Sequence, residues 1–216
     1  MPHRSTRRRL PAADRRDEIV AAAVRLLGRP EAFSLPQVAA EAGASRALVY
    51  HYFRDRETLH VAAIRAVADD LLARLERSDR APLSQLRHSV GQYVAFADEH
   101  AEGFLAILRG GAHHGEADEV GRIVETVRRQ VLDLVAHTLG LGTPSPVLRM
   151  SCAAWVSFAE RLTLDWLAGR ELARDDVEDL LVRHLLATLT VAAAADAALS
   201  TALGDALASD VPSSAT

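Results

Sequence analysis

The chain has 216 residues, 49% of them hydrophobic and 25% charged. That suits one or two compact domains of about 100–200 residues, and it disfavours collagen, wholesale disorder and a coiled-coil rod. The net charge of −4 conceals an asymmetry: residues 1–60 carry 11 Arg against 7 acids, and residues 61–216 carry 14 Arg against 22 acids. A basic end on an acidic body directs any polyanion to the N-terminal part.

Ala, Leu, Arg and Glu dominate, and no β-branched alternation is bounded by turn residues, so the chain reads as all-α with about nine helices. Residues 1–12 form a basic arm (Arg4, Arg7, Arg8, Arg9) with no apolar period. The first helix runs from about Ala13 to Leu27, with Ile19, Ala22, Ala23, Leu26 and Leu27 on one face, and Gly28 and Pro30 stop it. Two short helices follow, one from Leu35 and one from Arg46 to Phe53. Asp55 caps a long helix expected to reach about Arg80. Further helices are expected at 83–99, 102–110, 117–139, 146–168 and 174–195, and residues 197–216 read as a disordered tail.

The informative stretch is SLPQVAAEAGASRALVYHYFRDRETL, Ser34 to Leu59. Ser34 with Gln37 three residues on matches a capping box, in which each side chain satisfies the other's orphan backbone N–H. Leu35, Val38, Ala39 and Ala42 make one buried stripe, and Gly43 supplies the left-handed residue of a sharp turn. Ser45 caps the second helix, which Val49 and Phe53 anchor to the core. Two short helices joined by such a turn form a helix-turn-helix, whose second helix can enter the DNA major groove.

The face left outside that helix is Arg46, Ala47, Tyr50, His51 and, at its edge, Tyr52. An N-terminal Arg can pair with guanine O6 and N7, and an Ala methyl can touch a thymine methyl. Phenol and imidazole donors can hold phosphate oxygens, and Arg56 stands beside the free N–H groups of the next helix, a phosphate clamp.

At these residues the chain resembles the TetR family of transcriptional regulators. The match runs through IVAAAVRLL at 19–27, the SLPQVAAEAGASRALVYHYF core and RDRETL at 54–59. The resemblance implies three N-terminal helices for DNA (13–58) and about six further helices for effector binding and dimerisation (59–196). It assigns DNA contacts to Ser34, Ser45, Arg46, Ala47, Tyr50, His51, Tyr52 and Arg56, with Arg46 and Ala47 reading bases. Two departures stand out. Pro36 replaces a base-reading cation of some members, and Leu48 replaces a small polar residue, either to touch a thymine methyl or to fill a gap.

Beyond residue 60 no motif fixes chemistry. Leu148, Cys152, Trp155, Ala159, Leu162 and Trp166 recur at alternating steps, as do Val177, Leu181, His184, Thr188 and Val191. Such stripes suit helices crossing at about 20° in a four-helix bundle. The resemblance makes these two helices the dimer pair, with Trp155, Leu162, Trp166, Leu181, His184, Thr188 and Val191 at the interface; the other reading is that one stripe faces its own core. It also places an effector pocket among the middle helices; Tyr93, Phe96, Phe104, Leu108 and Phe158 are candidates for its lining and Arg109 and Glu160 for orienting a ligand, the other reading being that the apolar ones are ordinary core. The apolar surroundings point to a hydrophobic effector.

No cofactor is expected. His113 and His114 are adjacent and diverge on a helix, so no metal site is expected either. The longest C-terminal run without charge or His, Leu185 to Ala195, is 11 residues, against about 20 for a membrane span. The Arg-rich start leads into no apolar segment with a cleavage site, so no secretory signal is expected. Cys152 is the sole cysteine, which excludes an intrachain disulfide and suits a reducing cytoplasm.

The expected function is therefore a ligand-responsive, homodimeric DNA-binding regulator on a palindromic operator, a repressor by family habit and not an enzyme. The rival reading is an all-helical small-molecule-binding protein or enzyme whose N-terminal helices are only structural. The chain carries no GxSxG, HExxH or P-loop.

Overall fold

The computed structural model describes residues 12–28, 33–76, 78–111 and 119–209. Ten helices occur among them: α1 (Ala12–Leu26), α2 (Leu35–Glu41), α3 (Arg46–Tyr52), α4 (Arg56–Arg74), α5 (Pro82–Glu99), α6 (Ala101–Gly111), α7 (Glu119–Thr138), α8 (Pro146–Gly169), α9 (Arg174–Ala193) and α10 (Ala197–Ser209). The chain divides into two compact units, Met1–Val67 and Ala68–Thr216, with the division inside α4 rather than at its start.

In the first unit the apolar positions set the packing. Ile19, Ala22, Ala23 and Leu26 of α1 are buried, as are Val38 and Ala39 of α2, Val49 of α3, Phe53, and Leu59 and Ala63 of α4. α2 packs on both α1 and α3. The small Ala22, Ala23 and Ala39 let the helix axes approach, which the 7-residue α2 and α3 need because neither is long enough to be stable alone. An ion pair from Arg25 Nε to Glu41 Oε1 (2.7 Å) adds a link between α1 and α2.

In the second unit α9 is central, packing on α5, α8 and α10, while α7 packs on α5 and α8. Leu148, Cys152, Trp155, Ala159, Thr163, Trp166 and Leu167 line the buried side of α8, and Val177, Leu181, Leu185, Leu189 and Ala192 that of α9. Burial pushes the Cys152 thiol up to about 11, so it is an inert core group.

Two sequence expectations are corrected. Residues 197–209 are helical, not a disordered tail: Leu199, Leu203 and Ala206 are buried at i, i+4 and i+7, and Asp196 Oδ1 accepts the Leu199 N–H at 3.0 Å. The same carboxylate accepts the Ser145 hydroxyl, which ties the start of α10 to the start of α8. α4 ends at Arg74, not near Arg80, because the buried Gln85 amide takes over the loop. Its Oε1 accepts from Ser78 N (3.2 Å) and Ser78 Oγ (2.8 Å), and its Nε2 donates to Ser89 Oγ (3.1 Å).

Candidate functional site

The helix-turn-helix is built from its caps. Ser34 Oγ accepts the Gln37 N–H (3.4 Å), and Gln37 Oε1 accepts the Ser34 N–H (2.7 Å), completing the capping box that starts α2. α2 stops where Gly43 adopts φ +59. Gly43 N donates to Ala40 O (3.2 Å) and Ala44 N to Ala39 O (2.9 Å), the paired bonds of a Schellman turn. Ser45 Oγ then accepts from Leu48 N (3.2 Å) and starts α3.

These bonds fix which side of α3 faces out. Val49 and Phe53 are sealed at 0% and 1% exposure, whereas Tyr50 is 53% exposed and Arg46, Ala47 and His51 are exposed with it. Tyr52 is half-buried, its ring edge-on to His51 at 5.2 Å, and Leu48 is half-buried. α3 therefore offers a guanidinium, a methyl, a phenol and an imidazole on one exposed surface.

Next in the chain, Asp55 caps α4 by accepting from Thr58 N (2.8 Å) and Thr58 Oγ1 (2.7 Å). The Thr58 backbone bond is the main reason its carboxyl lies below the ordinary carboxylate value. Arg56 is exposed at the first position of α4, beside the positive end of the helix dipole.

Two features of this edge escaped the sequence reading. Ser34 donates its hydroxyl hydrogen to Gln37 Oε1 (2.9 Å), so neither that hydrogen nor its backbone N–H is left for a phosphate. Arg54, whose side chain is 91% exposed, stands directly before Asp55 and pairs with its Oδ2 through Nε at 3.2 Å. The signal was an Arg in the linker between a reading helix and the next cap.

In the second unit the expected pocket residues do not form one group. Tyr93 of α5 meets Phe104 of α6 edge-on at 5.8 Å, with Phe104 buried. Glu160 of α8 is bound by Arg128 of α7 through two bonds, Nε–Oε1 2.9 Å and Nη2–Oε2 2.8 Å. Phe96 instead lies at 1% exposure against His100 (4.7 Å between ring centres), with the Arg74 guanidinium 5.2 Å from its ring. Phe158 stacks on His184 of α9 at 4.1 Å. It is two residues from Glu160, which sets the two about 200° apart around α8. Leu108 is half-buried in α6; the Arg109 side chain, and His113 and His114 entirely, lie outside the described residues.

The expected dimer stripe needs the same sorting. Trp155, Trp166 and Leu181 are buried within one chain, and Trp155 Nε1 donates to the Leu181 carbonyl at 3.3 Å. These three are core residues, because an apolar stripe specifies burial without saying against what. Leu162 and Thr188 are half-buried, while His184 and Val191 are exposed. The two helices carry a second, weaker stripe outside: Met150, Ala154, Ser157 and Arg161 on α8, and His184, Ala187 and Val191 on α9.

The ten helices among the described residues, the first three forming a unit that contains a helix-turn-helix with an exposed outer face, define a helix-turn-helix protein with a second helical unit. Residues 19–63 match the model described as bacterial regulatory proteins, tetR family. Residues 82–188 match that described as the tetracyclin repressor-like C-terminal domain. A crystal structure of a tetR-family transcriptional regulator from Streptomyces coelicolor is 33% identical, with 95% of this chain and 93% of that chain covered and a TM-score of 0.84. A TetR-like transcriptional regulator from Rhodococcus sp. RHA1 is 25% identical over 82% of this chain and 96% of that one, with a TM-score of 0.61.

The chain belongs to the TetR family of bacterial regulatory proteins. It is also 28% identical over 123 residues to the HTH-type transcriptional regulator BetI of Brucella suis biovar 1, a match spanning 54% of this chain and 62% of that relative.

Proposed function

We propose that the chain acts as a homodimeric repressor that reads a palindromic operator and leaves it when a small, mostly apolar molecule binds. The observation that carries this is the split face of α3, with Val49 and Phe53 sealed and Arg46, Ala47, Tyr50 and His51 outside. Arg46 pairs with a guanine, and the Ala47 methyl meets a thymine methyl. Ser45, Tyr50, His51, Tyr52, Arg54 and Arg56 hold phosphates and set register. Ser34 supports them as a cap and does not itself touch DNA.

The outer stripe of α8 and α9 joins two copies, so that the reading helices enter successive major grooves about 34–36 Å apart. The effector binds among α5 to α8 and favours a form whose heads miss that spacing; a difference of a few kcal/mol between the two forms suffices. No helix among the described residues is long and apolar enough to cross a membrane. The site of action is the cytoplasm, where the operator lies.

The direct test is a mobility shift on the DNA flanking the protein's own gene, run against random DNA. A preference of at least about a thousandfold for one palindromic segment is expected. Equal retention of random DNA overturns the reading.

A further inference from the structure

Among the described residues of the second unit the hydroxyls of Tyr93 on α5, Thr138 on α7 and Thr163 on α8 are buried without a hydrogen bond of ordinary geometry, and those of Tyr93 and Thr163 interact. α5 and α8 pack together, and the two hydroxyls lie close enough to influence one another without completing a bond of ordinary geometry. A well-packed core seldom keeps such groups, since each has lost its water and gained nothing in return. Glu160, three residues before Thr163 on the same face of α8, is the nearest strong acceptor, but Arg128 holds both of its oxygens. Phe104 adds an apolar wall edge-on to the Tyr93 ring.

These surroundings select a chemistry. Burial raises the phenol far above its ordinary value, the Thr163 hydroxyl offsets part of this, and the Glu160 charge adds to it. Tyr93 therefore stays a neutral O–H, a donor at every physiological pH. An anionic ligand would sit beside the Glu160 charge with the nearby cation, Arg128, already paired. A cation would have to displace Arg128 from a two-bond contact. An uncharged oxygen with two lone pairs can accept from both hydroxyls and disturb neither partner.

We propose that Tyr93 and Thr163 together bind the oxygen of a neutral carbonyl compound (a ketone, ester or lactone), with its apolar body against Phe104. That this compound is the effector rests on the reading given under Proposed function; the binding site itself does not.

Thermal unfolding and calorimetric titration of the full chain test it with methyl pentyl, methyl heptyl and methyl nonyl ketone and γ-decalactone, against decanoate and decyltrimethylammonium. At least one neutral probe should raise the melting temperature in a dose-dependent way, and the two ions should not. Tyr93→Phe and Thr163→Val should each weaken that probe about tenfold, the loss of one hydrogen bond, while Thr163→Ser keeps it. Without probe, Tyr93→Phe should unfold no earlier than the parent, because the hydroxyl removed makes no hydrogen bond of ordinary geometry. Failure of all four neutral probes, stronger binding of an ion, or an unchanged affinity in Tyr93→Phe overturns the proposal.

Mobility shifts with the same probes separate the two ideas. A neutral probe that binds through Tyr93 but leaves the DNA complex intact keeps the site and removes its effector role. An ion that releases DNA equally from parent and Tyr93→Phe keeps the effector reading and removes the site.

Discussion

Val49 and Tyr50 are neighbours in sequence, yet the first is wholly buried and the second is 53% exposed. One residue step on α3 thus separates the core from the surface proposed to meet DNA, and substitutions on the two sides should behave differently. Phe53→Ala, which removes a ring at 1% exposure beneath the Arg16 guanidinium, should cost about 3–5 kcal/mol and abolish DNA binding by unfolding the first unit. Tyr50→Ala should leave stability within about 0.5 kcal/mol and still weaken the operator complex. Thermal melts beside mobility shifts check the pair; a Tyr50→Ala that melts early would place Tyr50 in the core.

In the proposed complex Arg46 reads a base and Arg56 holds a phosphate. Arg46→Ala should weaken operator binding by about 1–3 kcal/mol and relax the choice at one base pair. Arg56→Ala should weaken all sequences evenly and reduce the slope of log affinity against log salt by about 1. Titrations of operator and random DNA at several salt concentrations distinguish them. Equal losses on both DNAs for Arg46→Ala would remove its reading role.

The reading side of the first unit was legible because each part obeys a local rule. The Ser34–Gln37 box, the Gly43 turn and the Ser45 cap depend only on residues three to five apart, and all take the expected geometry. The second unit was less legible, since its questions concern what a stripe packs against. Trp155 and Val191 fall in the same kind of periodic pattern, but one is at 8% and the other at 75% exposure. α10 was missed because AALSTALGDALAS contrasts little between its faces, and its capping Asp196 is held by a bond it accepts from the Ser145 hydroxyl, 51 residues away. The unsatisfied Thr163 hydroxyl was not legible either, since only its neighbours across helices show that it makes no hydrogen bond of ordinary geometry.

Asp55 gives the first unit a pH dependence of known sign. Its carboxyl lies below the ordinary value of 3.8, chiefly through the Thr58 N–H. A lowered carboxylate contributes stability that is complete above the unfolded value and disappears as pH falls through the folded one. Parent protein should therefore lose melting temperature below about pH 4 by more than Asp55→Asn, whose amide caps without titrating. Parallel acid melts of the two proteins measure this, and identical acid slopes would deny Asp55 the role.

The outer stripe of α8 and α9 makes a prediction that its inner stripe does not. Val191 and Met150 are each 75% exposed in one chain, so a charge at either site costs the monomer fold little. At the centre of an interface the same charge is buried without a partner. Val191→Arg should therefore halve the mass seen by sedimentation or light scattering, and DNA binding should fall because one reading head alone cannot span two half-sites. Trp155→Ala should act on the opposite level, removing about 3–5 kcal/mol from the chain itself by emptying the space between α8 and α9. A Val191→Arg protein that remains a dimer with full operator affinity would move the interface to another face.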